Sequence, residues 1–146
     1  MKRIVWLLSF CLCCIWAEAQ EGLQIAQLFD GRYAHRKDAV EVLVKGRKLK
    51  PYQLALFRSL TLQADLAEQR FIERLVEADA ARATDKESGK VGGRLYYGFF
   101  CIPGEKSPFR YIFFKNKALT SPENPEITLV YMEGEATLEE LKRMFE

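Results

Sequence analysis

One cysteine and one histidine are the residues of this chain best suited to covalent chemistry. Of four cysteines, Cys11, Cys13 and Cys14 lie in an apolar N-terminal run, and Cys101 alone stands in the remainder. A thiol nucleophile needs its thiolate stabilised by a base, a positive charge or a helix N-terminus, and His35 is the only histidine available as that base. Phe99, Phe100, Ile102 and Pro103 surround Cys101 in sequence, and such neighbours raise a thiol pKa where they enclose it. His35 lies in the basic stretch "GRYAHRKD". The pair therefore reads as an inert core thiol and a solvated histidine. A thiol-dependent hydrolase or redox protein using Cys101 is the rival reading.

Other chemistries find less support. One histidine and one such cysteine cannot compose a zinc-ligand pattern. Ser59, Ser88, Ser107 and Ser121 have no nucleophile-elbow setting, and no glycine-rich phosphate loop is written in the chain. Carboxylates are plentiful, but no pair is singled out for acid and base work. No catalytic, cofactor-binding or metal-binding residue is expected, and no cofactor.

A charge cluster is the remaining candidate for recognition. Arg32, Arg36, Lys37, Lys45, Arg47, Lys48 and Lys50 crowd the segment 31–50 against only Asp38 and Glu41. If the basic loops at the two ends of the intervening strand converged, they would suit a phosphate, an acidic polysaccharide or anionic headgroups. A solvated face is the plainer expectation. The whole chain carries 22 basic and 20 acidic residues, a balance that gives no reason to expect nucleic acid.

The first residues, "MKRIVWLLSFCLCCIWAEAQ", place Lys2 and Arg3 before an apolar run and end it at Ala17-Glu18-Ala19. That is the layout of a secretory signal cleaved after Ala19. The run is shorter than the roughly 20 apolar residues that a membrane anchor needs, and no small residue precedes any of its cysteines, as lipidation would require. Residues 20–146 then form one domain, with no transmembrane helix and a single thiol. Disulfides cannot staple it, so packing must stabilise it.

The densest apolar stretch is "GRLYYGFFCIPGEKSPFRYIFF", from Gly93 to Phe114. Leu95, Tyr97, Phe99 and Cys101 alternate with Tyr96, Gly98, Phe100 and Ile102; Phe109, Tyr111 and Phe113 alternate with Arg110, Ile112 and Phe114. Two such runs joined by a proline- and glycine-containing connection predict a β-hairpin. Both parities are apolar, so either both faces are covered or one displays aromatics to a partner or ligand. Core packing is the favoured expectation. Gly98 marks curvature, a bulge or a close backbone approach.

Around the hairpin, "LQIAQLFDGRY" predicts a short opening helix and "AVEVLVKG" a strand; in "LKPYQLALFRSLTLQ", Tyr52, Leu54, Leu56, Leu60 and Leu62 fit a strand, the preferred reading, while Leu54, Phe57 and Leu60 also fit a helix. "ADLAEQRFIERLVEADAARA" predicts an amphipathic helix, capped by Asp65 and Glu68, with Ala67, Phe71, Leu75 and Ala78 inward, Ile72 and Val76 widening that face, and Glu68, Glu73, Arg74 and Glu77 in solvent. "TDKESGKVGG" reads as a polar loop and "EITLVYME" as a strand with Ile127, Leu129 and Tyr131 on one side. Thr137 and Glu140 cap a final helix with Leu138, Leu141 and Phe145 inward. The order is α-β-β-α-β-β-β-α, an α+β fold of two layers with an antiparallel or mixed sheet and helices mainly on one face.

The signal ending in "AEAQ", the "IAQLFDGRY" helix and the closing "ITLVYMEGEATLEELKRMF" unit resemble small exported domain-of-unknown-function proteins of the gut Bacteroidota. The resemblance implies a cell-envelope setting and a compact α+β domain, and transfers no catalytic residue. The expected function is a non-catalytic exported domain that binds or assembles with an unknown protein or envelope component.

Overall fold

A computed structural model describes residues 22–104 and 109–145, apart from the side chain of Phe145. The leader expected at 1–19, Ser107 and the inward placement of Phe145 lie outside the described residues. A 3-10 helix, Gln24–Phe29, precedes strand β1, Ala39–Lys45; a second 3-10 helix, Arg47–Tyr52, precedes β2, Leu54–Gln63. Helix α1, Leu66–Ala80, leads to β3, Asp85–Val91, β4, Arg94–Pro103, and β5, Phe109–Asn116. A turn of 3-10 helix, β6 (Glu126–Gly134) and helix α2 (Leu138–Phe145) complete the chain.

All six strands form one antiparallel sheet in the order β1-β2-β6-β5-β4-β3. Between β2 and β3 the chain must cross four strand spacings, about 19 Å. The 15 residues of α1 rise about 22 Å, enough for that crossing in one element.

The expected α-β-β-α-β-β-β-α order and its two layers do not hold. The opening helix is a 3-10 helix. "TDKESGKVGG", read as a loop, forms β3, which closes onto β4 through Gly92 and Gly93 at φ 57° and 79°. Two successive positive φ values make the tight turn whose twist matches a hairpin. β3 has little strand propensity of its own, but an edge strand tolerates charges that face solvent. The segment before β2 is also divided, because Pro51 lacks the amide a central strand needs.

Layering differs from expectation as well. On one face, Leu60, Leu62, Phe100, Ile102, Ile112, Phe114, Ile127 and Leu129 pack beneath Ile25, Leu28 and Phe29 of the first 3-10 helix and Ile72 and Val76 of α1. On the other, Phe99, Cys101, Tyr111, Val130 and Met132 pack beneath Leu138 and Leu141 of α2. Helical segments thus cover both faces, and the aromatic hairpin is core on both parities. Each fully buried side chain of this kind contributes about 1.5–3 kcal/mol. Gly98 is a close approach: a Cβ there would lie 2.4 Å from the Phe100 ring.

The inward face of α1 departs from the expected one in part: Ile72 and Val76 are buried as expected, and Phe71 and Leu75 pack against the core. Gln69, Ile72, Glu73, Val76 and Asp79 are buried, while Ala67 and Ala78 are exposed. Backbone donors explain the difference. Asp79 accepts the amides of Gln24 and Ile25 at 2.7 and 2.8 Å, and Glu73 accepts the amide of Leu95 at 3.0 Å and the Arg94 guanidinium at 2.9 Å. The inward carboxylates dock two remote segments onto one helix. Burial raises the Asp79 pKa despite these bonds.

Tyr111 plays the corresponding part on the second face. Its buried hydroxyl donates to the carbonyl of Ala136 and lies 3.3 Å from that of Gly134, holding the turn into α2. Burial first, then Cys101, Glu140 and Glu135, push its pKa up to about 12.

Two outcomes follow. Asp79→Ala strands the two amides and lowers the unfolding free energy by about 2–4 kcal/mol, with amide exchange rising first at residues 24–29; unchanged stability and exchange contradict the docking role. Because the folded Tyr111 pKa lies above the ordinary value of 10.0, its contribution is complete below pH 10 and lost as pH rises toward 12. Denaturant titrations should show a steeper alkaline loss of stability in the wild type than in Tyr111→Phe; parallel curves contradict this.

Candidate functional site

Four polar side chains meet at one end of the first sheet face, where the apolar series of β2, β5 and β6 is interrupted. Arg58 faces Tyr131 across β2 and β6, and Arg110 faces Glu133 across β5 and β6. Above them, Leu23, Ile25, Ala26 and Phe29 form the roof. Together these residues line a cavity of about 320 Å³, with Gly22 at its rim. That volume lies within the range of small-molecule sites, roughly 300–1,000 Å³.

The polar groups are oriented by the fold. Arg58 Nη2 donates to the Phe29 carbonyl at 2.7 Å, and its guanidinium lies 4.8 Å from the centre of the Phe29 ring. Arg110 Nη2 donates to the Pro103 carbonyl at 3.1 Å. The Tyr131 hydroxyl donates to Glu133 Oε1 at 2.6 Å. Burial, and then the Glu133 carboxylate, raise the Tyr131 pKa, so the phenol remains a neutral donor. Among the described residues, two guanidinium groups, one carboxylate and one phenol give the polar end a net positive charge beside an apolar roof. Such a cavity can hold an anionic group on an apolar body. A larger hollow of about 440 Å³, beside Gln24, Phe71, Arg74, Asp79 and Arg82, is an open depression where the N-terminal segment meets α1.

Cys101 is 8% exposed and sits on the opposite sheet face from this cavity. Its nearest partners in the sheet are Asp85 and Tyr111, and burial, followed by the Asp85 charge, raises its pKa. A neighbouring carboxylate opposes thiolate formation. His35 is exposed in the loop before β1, and four strand spacings, about 19 Å, separate β1 from β4. The structure does not bring the two together.

Nor does it gather the basic cluster. Arg32, Arg36 and Lys37 precede β1, whereas Lys45 ends it and Arg47 and Lys48 follow. A strand of seven residues separates the groups by about 20 Å. Arg36 is bonded to Asp38, Glu68 and the Gln63 carbonyl, and Arg32 lies 4.8 Å from the centre of the Phe71 ring. The Arg36 guanidinium holds the Asp38 carboxyl below its usual range. Among the described residues no cluster of three or more potential ligands could hold a metal ion, and no helix is long and apolar enough to cross a membrane.

Sequence reasoning passed over Arg58 and Glu133, placed Tyr131 only on one side of its strand with Ile127 and Leu129, and met Arg110 only as a member of the hairpin. The signal was present: each is in period-two register with an inward apolar series. Arg58 continues Leu60 and Leu62, Arg110 continues Ile112 and Phe114, and Tyr131 and Glu133 continue Ile127 and Leu129. Only the sheet order shows that the interruptions fall at the same end of neighbouring strands.

No curated protein and no solved structure matches the chain. The profile of a family of unknown function, DUF6108, matches residues 12–145. That span takes in every element that builds the sheet, its covers and the cavity, and the chain belongs to the family DUF6108.

Proposed function

We propose that this chain is an exported, non-catalytic binding domain of the cell envelope, of the kind found in gut Bacteroidota, and that the Arg58–Arg110 cavity is its binding site. The observation that carries the reading is the conjunction of an apolar roof with two guanidinium groups in one 320 Å³ space. Its ligand is a small molecule with an apolar body and an anionic group, since the guanidinium groups recognise the charge and the roof residues accept the body. The N-terminal layout supports export.

Thiol chemistry at Cys101 asks for the opposite of what surrounds it. The sulfur is buried, its closest charged neighbour is Asp85, and the sole histidine lies near another edge of the sheet. The binding reading requires none of these groups.

Octanoate, with octanol as its uncharged counterpart, tests the reading by calorimetry. Octanoate should bind more tightly than octanol, and Arg58→Ala should weaken it by roughly tenfold or more, the scale of a lost hydrogen bond to a charged group. Ala26→Trp, which fills the cavity from its exposed roof, should abolish binding while the sheet stays folded. Equal affinity for the two probes, no binding of either, or octanoate binding indifferent to both substitutions would defeat the assignment.

A further inference from the structure

We infer that the outer edge of β1 pairs with the same edge of a second copy of this chain, in a single register centred on Leu43. β1 ends the sheet, so one side of its backbone has no neighbouring strand among the described residues. The bonds from Gln63 N to Asp38 O, 3.3 Å, and from Gly46 N to Ala55 O, 3.5 Å, show which residues already serve β2. They are the even-numbered ones, and an antiparallel ladder alternates. Glu41, Leu43 and Lys45 therefore turn their amide and carbonyl groups toward the open edge, as does the Ala39 carbonyl, the Ala39 amide donating to the Arg36 carbonyl at 3.4 Å.

The two edges of the sheet are dressed differently. β3 carries Asp85, Lys86, Glu87 and Lys90, the charged dressing that keeps edges from pairing. β1 leaves Val40, Val42 and Leu43 at 60%, 43% and 54% exposure. An edge strand with that much exposed apolar surface invites a partner strand.

Side-chain complementarity selects the partner and the register. A two-fold antiparallel pair must set the outward-bonding residues opposite one another, which leaves few choices. Centred on Glu41, the carboxylate meets its own copy. Centred on Val42, Glu41 meets Leu43; centred on Val44, Leu43 meets Lys45. Centred on Leu43, Glu41 lies opposite Lys45 of the second copy, and the symmetry repeats that pair. In the same register Leu43 meets itself on one face and Val42 meets Val44 on the other. Every facing pair with both members in β1 then matches in charge or in apolar character, and opposed charges and β-branched pairs stabilise neighbouring strands. Glu41 and Lys45 are exposed, and neither makes an ion pair among the described residues, so both are available.

Sedimentation velocity over a wide concentration range, on protein purified after expression of the full chain, tests the pairing. The wild type should show a reversible monomer–dimer equilibrium. Glu41→Lys alone and Lys45→Glu alone each place like charges opposite one another twice, and should weaken the dimer by roughly tenfold or more. The double exchange, Glu41→Lys with Lys45→Glu, should restore it. Circular dichroism should be the same for all four proteins, because both side chains are exposed. A wild type that stays monomeric, as it would if residues 1–21 covered the edge, overturns the inference. So does a dimer indifferent to the single changes, or one that the double exchange fails to restore.

Discussion

The central strands of this sheet are apolar on both parities, so the chain must cover both faces from its own length. Phe100, Ile102, Ile112 and Phe114 point one way, and Phe99, Cys101, Tyr111 and Met132 the other. With no disulfide among the described residues, each exposed member of either set would forfeit about 1.5–3 kcal/mol. The first cover is α1 with the N-terminal 3-10 helix, and the second is α2. Each is fixed by a few directional bonds: the Asp79 and Glu73 carboxylates beneath α1, and the Tyr111 hydroxyl at the turn into α2. Apolar contact supplies most of the stabilisation and these bonds set position, since a buried acceptor without its donor is costly.

The candidate site and the open edge both arise where the covers stop. The N-terminal 3-10 helix is six residues long and roofs only part of the first face. At its margin the sheet changes from apolar to polar, and Arg58, Arg110, Tyr131 and Glu133 meet under a short roof. β1 lies beyond both covers. Ala39 and Val44 are partly buried against the two cores, whereas Val40, Val42 and Leu43 remain exposed. The same shortage of covering chain that stabilises the centre leaves these two places available for recognition.

Much of this architecture was legible in the residues. Alternation located β1, β4, β5 and β6, and a capping aspartate with a helical stripe located α1, where Asp65 accepts the Glu68 amide at 2.8 Å. β3 escaped because Asp85, Lys86, Glu87 and Gly89 have no apolar face; its strand form comes from pairing with β4 and from the two glycines that follow it. The polar members of the inward side of α1 escaped because Gln69, Glu73 and Asp79 look like solvent residues until their hydrogen-bond partners are in place. Arg58 and Glu133 lie far apart in the chain, and only the β2–β6–β5 order brings their ends together. Local pattern thus identified most elements, whereas the site depends on long-range adjacency that no single segment encodes.

The central claim is that the chain itself closes both faces of the β4–β5 hairpin, and the Cys101 thiol, lying beneath α2, reports on that closure. Its reaction with a soluble aromatic disulfide reagent, followed by absorbance at neutral pH with and without denaturant, is the direct measurement. The account predicts negligible labelling of the native protein, at a rate set by unfolding, and one rapid equivalent per Cys101 once denatured. Rapid stoichiometric labelling of Cys101 in the native protein would contradict it.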